Sequence, residues 1–360
     1  MLVTVPKESK IGETRVALTP EGAFALVGRG HEVWVEHGAG VGSALSDLDY
    51  ESAGARMVAT ADAWSGELVL KVKEPVAAEY PRLTNATLFT FLHLAANEPL
   101  ARALIAADTT ALSLDTVQLE DGSLPLLAPM SAVAGNLATL AGAYHLLSSQ
   151  GGRGILLAGA PGVPGGAVVV IGAGIAGAHA IDQAVRLGAR VTVLDLSRAR
   201  LDAVVEQHGD AVTAIESTPE AVAQAVADAD LVIGAVLVPG RPAPKVVTRA
   251  MVDAMRPGSV LVDIAIDQGG CFEDSRPTTH AEPTYKVGDA VFYCVANMPG
   301  AVGATATAAL TTATLPYVLA LADGVEAAMA EDSALAKGLN VSDGLLRHPA
   351  VVEALPQLAG

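Results

Sequence analysis

A glycine-rich turn between an apolar strand and a helix constrains the fold of this chain most strongly. Residues 172–177 read Gly-Ala-Gly-Ile-Ala-Gly, a G-x-G-x-x-G pattern, directly after the run Ala-Val-Val-Val-Ile. A helical pattern opens at Ala178, and the next apolar run ends in front of Asp195. This strand, turn, helix and strand context distinguishes a dinucleotide-binding unit from an isolated glycine motif. It predicts a parallel sheet with helices on both faces.

Each part of the turn has a chemical purpose. The first glycine permits the tight turn, the second lets the backbone approach a pyrophosphate, and the third lets helix and strand pack closely. The helix N-terminus offers free N–H groups and the positive end of its dipole to phosphates. Asp195 would accept hydrogen bonds from ribose hydroxyls and repel a 2′-phosphate, so NAD is expected rather than NADP. Arg198 and Arg200 lie nearby and weigh against this preference.

Short apolar runs alternate with helical patterns along most of the chain, which is typical of βαβ units. Strands are predicted at 3–6, 32–36, 69–72, 88–91, 111–114, 168–171, 191–194, 231–235, 260–264 and 291–295. Helices are predicted at 20–29, 47–53, 100–107, 178–187 and 219–227, with two long ones at 131–149 and 301–321. After the second long helix only helical fragments are predicted.

These elements predict an α/β protein of two doubly wound (Rossmann-type) domains with parallel sheets, joined by the two long helices. The substrate or catalytic domain is expected to be discontinuous, with residues 1–130 and 305–360. Residues 131–304 are expected to form the NAD-binding Rossmann domain. The C-terminal tail is apolar enough to require packing against a folded domain, and the N-terminal domain is expected to provide that surface.

Three stretches without charged side chains, at 122–152, 154–181 and 290–322, are long enough to span a bilayer. Proline, glycine and polar residues interrupt them, and their apolar content is mostly Ala and Val, so no membrane span is expected. The net charge of −17 argues against nucleic acid as a partner. Two cysteines are too few for a disulfide framework, and no metal-binding spacing occurs. Because the residues before Lys7 are too few for a signal peptide, a cytoplasmic protein is expected.

Three cationic or titratable residues follow predicted strands of the first domain. Arg15 lies in a loop before a helix and can hold a carboxylate with two parallel hydrogen bonds, or be a solvated loop residue. Lys73 lies close to a strand end, where ligands bind in open α/β sheets, and alternation does not separate it from Lys71. His93 follows the neighbouring strand and can act as a general acid or base, or be structural.

The second domain carries further candidates at strand ends. Asp267 follows the strand at 260–264 and faces the same crevice as the glycine turn, whereas Asp263 has no assigned role. Asn297 follows the last predicted strand. Ser131 heads the first long helix and is equally explained as its cap. The remaining histidines share no metal-ligand spacing.

These motifs together resemble the alanine dehydrogenase family, in order and over nearly the whole chain. The matching segments are Glu-Thr-Arg-Val-Ala (13–17), Lys-Val-Lys-Glu-Pro (71–75), Phe-Leu-His-Leu-Ala-Ala (91–96), Leu-Leu-Ala-Pro-Met-Ser (126–131), Gly-Gly-Arg-Gly (151–154), the glycine turn, Ile-Gly-Ala-Val-Leu-Val-Pro-Gly (233–240), Asp-Ile-Ala-Ile-Asp-Gln-Gly-Gly (263–270) and Tyr-Cys-Val-Ala-Asn-Met-Pro (293–299).

The resemblance implies NAD-dependent oxidative deamination of L-alanine to pyruvate and ammonia, the reverse amination, and a homohexamer. Arg15 and Lys73 would hold the substrate, His93 would exchange protons, and Asp267 would be a second acid or base. The NAD site would comprise Ser131, Gly172, Gly174, Ile175, Ala176, Gly177, Asp195, Arg200, Ser217, Val236, Leu237, Ile264, Asp267, Asn297 and Met298.

The chain departs from the family pattern at secondary positions. The family commonly has Glu where Asp115 stands and Tyr where Leu114 stands, and it often has Glu and Arg at Ala132 and Asn136. Three alternatives stay open: the nucleotide-binding subunit of a proton-translocating transhydrogenase, a dehydrogenase for a larger amino acid, and a non-enzymatic NAD-sensing module. The transhydrogenase and the sensing module would not need the substrate anchors and the acid/base set.

Overall fold

The computed structural model describes residues 1–236 and 243–358. The chain divides into two compact units, Met1–Met130 with Gly300–Gly360, and Ser131–Pro299. In chain order the strands are β1 Leu2–Val5, β2 Glu32–Glu36, β3 Arg56–Val58, β4 Leu68–Leu70, β5 Thr87–Thr90, β6 Thr110–Ser113, β7 Ala167–Ile171, β8 Arg190–Asp195, β9 Val212–Glu216, β10 Leu231–Gly234, β11 Val260–Asp263, β12 Thr284–Val287, β13 Ala290–Tyr293, β14 Leu339–Ser342 and β15 Leu345–Leu346.

The helices separate these strands and cover the sheets. In chain order they are α1 Pro20–Gly28, α2 Asp47–Ser52, α3 Thr60–Ala63, α4 Glu98–Ala106, α5 Ala128–His145, α6 Ile175–Arg186, α7 Arg198–His208, α8 Pro219–Ala227, α9 Arg249–Asp253, α10 Gly303–Asp323, α11 Val325–Glu331, α12 Ser333–Ala336 and α13 Pro349–Ala354. The predicted α/β class with two doubly wound sheets is confirmed.

The first unit is built on a sheet with the strand order β15-β14-β6-β5-β4-β1-β2-β3. Its strands are parallel except β14, which is antiparallel to both β6 and β15. Strands β4 and β5 are parallel neighbours, with Leu70 opposite Phe89. The carboxyl ends of these two strands therefore lie side by side, as the sequence predicted.

The prediction that no strand follows the second long helix is wrong, because β14 and β15 extend the first sheet. Asn340 conceals β14 in the sequence, since a polar residue at an inward position breaks the apolar pattern. Its side chain is 1% exposed and donates to Thr116 Oγ1 and to the Gly338 carbonyl. These partners satisfy the buried amide, which a local pattern does not reveal.

The second unit is built on a sheet with the order β12-β13-β11-β10-β7-β8-β9. All neighbours are parallel except the β12–β13 pair. Apolar cores cover both faces of this sheet. The edge strands β9 and β12 were not predicted, and neither was the three-residue β3, because such strands are short or half exposed and carry weak apolar signals.

Helices α5 and α6 each begin three residues earlier than predicted. Helix α5 starts at Ala128 instead of residue 131, so Ser131 lies within its first turn and does not cap it. Pro129 is compatible with this start because the first-turn N–H groups have no intrahelical partner. Helix α6 starts at Ile175 instead of Ala178, with Gly174 as its extended N-cap residue. The residues after Gly174 therefore present first-turn N–H groups.

Among the described residues, one helical stretch, Met298–Asp323, is long and apolar enough to cross a membrane. Most of it is α10, which packs against α1 within the first unit. Its Thr307 hydroxyl accepts the N–H of Val16 at 3.1 Å and bonds the Ser43 hydroxyl at 2.7 Å. Buried Leu310 and Val318 add apolar contacts. These are the contacts of a helix that packs in a domain core.

Candidate active site

The two lysines that follow β4 have different surroundings. Lys71 is buried, and its ammonium group lies 3.1 Å from Glu8 Oε2 and 3.3 Å from Glu79 Oε1. Burial acts to lower the pKa of Lys71, but the two carboxylates outweigh it and raise the pKa. Lys73 is 6% exposed and forms no ion pair with any described residue. Lys73 therefore carries the buried positive charge that a bound anion can neutralise.

Glu8 joins the ends of β1 and β4. Its carboxylate accepts the backbone N–H of Val72 at 2.6 Å and that of Lys73 at 3.4 Å, in addition to the Lys71 ammonium. Burial raises the pKa of Glu8, against the lowering effect of Lys71 and the Val72 N–H group. These hydrogen bonds fix the position of the Lys73 backbone.

Arg15 is buried and oriented by a neighbour in sequence. Glu13 accepts from Arg15 Nε at 2.7 Å and from Nη2 at 2.5 Å, so the two side chains form a bidentate pair. Arg15 Nη1 also lies 2.9 Å from Met130 Sδ. A guanidinium held in this way has a defined plane, which suits recognition of a planar carboxylate.

His93 lies three residues beyond β5 and is paired with Asp115. Its Nδ1 is 3.6 Å from Asp115 Oδ2, its side chain is 41% exposed, and its ring stacks on Phe91. The backbone of His93 is left-handed (φ 46°), which is uncommon for a residue other than glycine. Such strain persists only where the surrounding structure imposes it, and it occurs often at functional sites.

Asp115 is held ionised by its neighbours. Burial acts to raise its pKa, but His93, the Ser113 hydroxyl and the Leu92 N–H group together hold the pKa below its usual range. The Ser113 hydroxyl donates to Asp115 Oδ1, and the Leu92 N–H donates to the same oxygen at 3.2 Å. A carboxylate beside one ring nitrogen leaves the other nitrogen of His93 for proton exchange.

The glycine turn at the end of β7 fits a dinucleotide. A Cβ on Gly177 would lie 1.8 Å from the Gly172 carbonyl oxygen, so this contact between turn and helix requires glycine. A Cβ on Gly174 would meet nothing within 4 Å, which leaves open space above the first turn of α6. The N–H groups of that turn have no intrahelical acceptor. Open space beside free N–H groups at a helix N-terminus is the chemistry that binds a pyrophosphate.

Asp195 ends β8 and is buried. Its Oδ2 accepts the Ala173 N–H at 2.6 Å, and its Oδ1 accepts the Ser197 N–H at 2.7 Å. Arg200 Nη1 is 3.7 Å from Oδ2, and the Arg200 side chain is largely exposed. The Ser217 N–H donates to the Asp195 carbonyl. Asp195 thus orients the glycine turn and keeps acceptor capacity for ribose hydroxyls.

The other candidates of the second unit lie at carboxyl ends of its strands. Asp267 is exposed in a short 3-10 turn, Ile264–Gln268, directly after β11. Asn297 has a left-handed backbone (φ 64°), Met298 is buried in a core, and Val236 follows β10. Leu237 lies outside the described residues. Within the described residues, no group of three or more His, Cys, Asp and Glu side chains is placed to hold a metal ion.

The structure adds four carboxylates to which the sequence analysis gave no site role. Glu8 accepts the backbone N–H of Lys73. Glu13 and Asp115 contact the side chains of Arg15 and His93, respectively. Asp263 accepts hydrogen bonds from the loop that carries Asp267. Asp115 was noted only as a departure from a family pattern. Glu13 is two residues from Arg15, and that spacing was the one local signal. Glu8 is more than 60 residues from its partners, so no local pattern reports it.

Comparisons with known proteins agree with this geometry. The family model described as "Alanine dehydrogenase/PNT, N-terminal domain" matches residues 4–134, and the C-terminal domain model matches residues 138–349. An alanine dehydrogenase from Mycolicibacterium smegmatis is 58% identical over 99% of this chain and 97% of its own length.

Two solved structures extend the comparison. An L-alanine dehydrogenase superimposes with a TM-score of 0.96 at 50% identity, over the full length of both chains. A transhydrogenase from Sinorhizobium meliloti gives 0.82 at 31% identity, covering 97% of this chain and all of its own. On these matches, the chain belongs to the alanine dehydrogenase/PNT family.

Proposed function

We propose that this protein oxidises L-alanine with NAD to pyruvate and ammonia and catalyses the reverse reductive amination. Full-length relatives at 47–58% identity are named alanine dehydrogenases. The observation in this chain that carries the proposal is Lys73, a buried cation that forms no ion pair with the described residues, in the same unit as the paired His93 and the oriented Arg15. Hydride exchange between two nucleotides needs no such carboxylate anchor, so alanine oxidation is favoured over a transhydrogenase or a sensing module.

The two units divide the work in this proposal. Residues 1–130 and 305–360 form the substrate domain, and residues 131–304 form the NAD domain. Arg15 and Lys73 hold the alanine carboxylate and, after oxidation, the oxo group. The Gly172–Gly177 turn and Asp195 would hold NAD, which would supply the hydride acceptor for the oxidation at the alanine Cα. Asp195 favours NAD over NADP, so Asp195→Ala is expected to lower the ratio of kcat/KM with NAD to kcat/KM with NADP.

The proton steps follow from His93 and Asp267. Loss of hydride leaves an imine, and water adds to its carbon while His93 takes the water proton. Asp115 stabilises the imidazolium that forms, because its carboxylate lies beside Nδ1. Collapse of the carbinolamine expels ammonia, and Asp267 exchanges protons with the departing nitrogen. Each proton is returned when the reaction runs toward alanine.

The experiment that tests this proposal follows NADH absorbance with the purified protein. L-Alanine plus NAD should give turnover, and pyruvate, ammonia and NADH should reverse it. Lysine plus 2-oxoglutarate with NADH is the comparison for a larger amino-acid product. Turnover with that mixture and none with alanine would reject the assignment.

We also propose a homohexamer. Helix α5 presents Leu140 and Tyr144 to solvent, and the segment after it exposes Leu147, Leu156 and Val163. Leu140 and Tyr144 are four residues apart and share one helix face, and exposed apolar side chains of this kind favour association. Light scattering should give a particle of six times 36.4 kDa. A monomer at micromolar concentration would contradict the proposal.

A cytoplasmic location is proposed on the state of the cysteines. Cys271 and Cys294 are both buried free thiols, and free thiols are usual in reducing compartments. Fractionation of the source cells should recover the alanine-dependent activity with cytoplasmic markers. Recovery with the membrane or the extracellular fraction would contradict it.

A further inference from the structure

Asp263 is a buried carboxylate without a part in the proton steps above. It ends β11 and is fully buried. Its Oδ1 accepts the Ala265 N–H at 3.0 Å and the Cys271 thiol at 3.4 Å. Its Oδ2 accepts the N–H groups of Cys271 at 2.8 Å and Phe272 at 3.3 Å, and the Ser275 hydroxyl at 2.5 Å. Five donors converge on this one side chain.

These donors lie on both sides of the segment that carries Asp267. Ala265 precedes Asp267, whereas Cys271, Phe272 and Ser275 follow it, so the Asp263 carboxylate ties the two ends of this loop together. The side chain of Asp267 is exposed and forms no hydrogen bond or ion pair with the described residues. Its position therefore depends on the backbone of the loop and not on contacts of its own side chain.

The loop is closed from its other side by Lys245. The Lys245 ammonium donates to the carbonyl oxygens of Gly269 at 2.6 Å and Gly270 at 2.8 Å. Gly270 has a left-handed backbone (φ 75°), and a Cβ there would lie 2.6 Å from Asp263 Oδ2. Asp263 accepts hydrogen bonds from N–H groups of this loop, and Lys245 donates hydrogen bonds to its carbonyl groups. Both kinds of backbone group in the loop therefore have fixed partners.

We propose that Asp263 is a positioning residue that sets the place of the Asp267 carboxylate for the proton exchange with the substrate nitrogen. This inference rests on the proposed role of Asp267. A buried carboxylate is costly unless its lone pairs are satisfied, and here every donor comes from the loop that must be held. Ser and Cys side chains complete the set, so the carboxylate holds side chains as well as backbone.

The test is a double-mutant cycle on kcat for alanine oxidation at saturating NAD. Asp263→Asn keeps the shape of the side chain but turns one acceptor end into a donor that faces other donors. We expect kcat to fall about 100-fold, the loss that a displacement of roughly 1 Å causes in a catalytic group. Asp263→Asn added to Asp267→Asn should cost little more than Asp267→Asn alone, because both remove the same function.

Asp230→Asn is the matched control for loss of a buried carboxylate. Asp230 is 4% exposed, lies in the same unit, accepts the Ala167 N–H at 2.8 Å and pairs with Arg153. It should lower Tm without lowering kcat. If Asp263→Asn fails to fold, Ser275→Ala replaces it in the same double-mutant cycle. This substitution removes one hydrogen-bond donor to Asp263 Oδ2 and adds no charge.

The outcomes separate this inference from the proposed function. If the separate kcat losses of Asp263→Asn and Asp267→Asn multiply in the double variant, the positioning role is overturned and the alanine reaction stays in place. The same holds if Asp263→Asn has the same kcat as Asp230→Asn. Full activity of Asp267→Asn removes the proposed role of Asp267 and this inference with it. No alanine turnover by the unaltered protein rejects the proposed function itself.

Discussion

At the scale of single residues, pairing decides which charged groups are available to a ligand. Lys71 and Lys73 are two residues apart, yet two carboxylates neutralise the first, and none among the described residues pairs with the second. Glu13 and Asp115 orient Arg15 and His93, although local sequence patterns assigned neither carboxylate a role in the site. The local sequence identified the candidates, and the contacts divided them into structural and available groups.

Replacing His93 with Ala should lower kcat for alanine oxidation by about 10²- to 10⁴-fold, the contribution of a general acid or base. NADH binding, measured by fluorescence, should stay intact because His93 belongs to the substrate set. His37→Ala is the control, since His37 is an exposed histidine of the same unit. Unchanged turnover in His93→Ala would remove this residue from the mechanism.

Asp115→Asn should reduce kcat by about 10- to 100-fold, the range found for carboxylates that orient metal-bound histidines. A depressed pKa means that the stabilising contribution of Asp115 is complete above the ordinary carboxyl pKa and is lost as pH falls through the lower folded value. The carboxylate is therefore present at neutral pH, where the loss should be full. Asp115→Glu should recover more activity than Asp115→Asn. An equal loss of kcat in both variants would show that the size of the side chain at this position matters and its charge does not.

Lys73→Met should raise KM for alanine by about 10- to 150-fold, because a hydrogen bond to a charged group contributes about 1.5–3 kcal/mol. Stability should hold or rise, since the substitution removes a buried cation that has no partner. Lys286→Met, an exposed lysine on β12, is the control and should change neither value. Initial rates and urea unfolding of the same preparations provide both measurements. A Lys73→Met enzyme with the normal KM would exclude Lys73 from carboxylate binding.

At the scale of elements, the strand–turn–helix unit around Gly172 was predictable and its boundaries were not. The apolar run, the three glycines and Asp195 lie within residues 167–195, and local backbone rules apply over that distance. Helix α6 begins three residues earlier than its apolar pattern suggests, because Gly174 serves as an extended N-cap without a side chain. Strand β14 was missed because its buried Asn340 is satisfied by tertiary partners.

Two glycine substitutions in this turn should have opposite effects. Gly174→Ala should lower Tm only slightly, through the poorer N-cap, since its Cβ meets no protein atom, but it should weaken NADH binding at least about tenfold by filling the pyrophosphate approach. Gly177→Ala should destabilise the fold by about 1–3 kcal/mol, because its Cβ collides with the Gly172 carbonyl oxygen. Thermal melts and NADH titrations distinguish the two. Equal binding by Gly174→Ala and the unaltered protein would contradict the placement of the pyrophosphate.

At the scale of the whole molecule, a net charge of −17 opposes compaction and association. Exposed ion pairs such as Glu98–Arg102 and Arg198–Asp202 contribute only about 0–1 kcal/mol each and do not offset this repulsion. The apolar interior supplies the opposing term. The uncharged stretches that raised the membrane question carry the glycine turn and the long helices α5 and α10.

Raising NaCl from about 0.05 to 0.5 M should therefore increase Tm, since screening shortens the reach of like-charge repulsion. A gain of about 1 kcal/mol would appear as roughly 2–4 °C in units of this size. KCl at the same ionic strength should give the same shift, which separates screening from binding of a specific ion. Scanning calorimetry at fixed protein concentration measures the effect, and a decrease in Tm would show that attractive ion pairs outweigh the repulsion.

Local sequence patterns were sufficient to assign the α/β class, the glycine turn, and the adjacency of the strand ends before Lys73 and His93. These follow from periodicity and turn chemistry, which act among neighbours in the chain. Contacts between distant parts of the chain are what pair Lys71 and leave Lys73 without an ion pair among the described residues, place Asp115 beside His93, and add β14 to the first sheet. Those outcomes depend on contacts such as Lys71 with Glu8 and Asn340 with Thr116, 63 and 224 residues apart. Burial makes such contacts strong, and no local pattern records them.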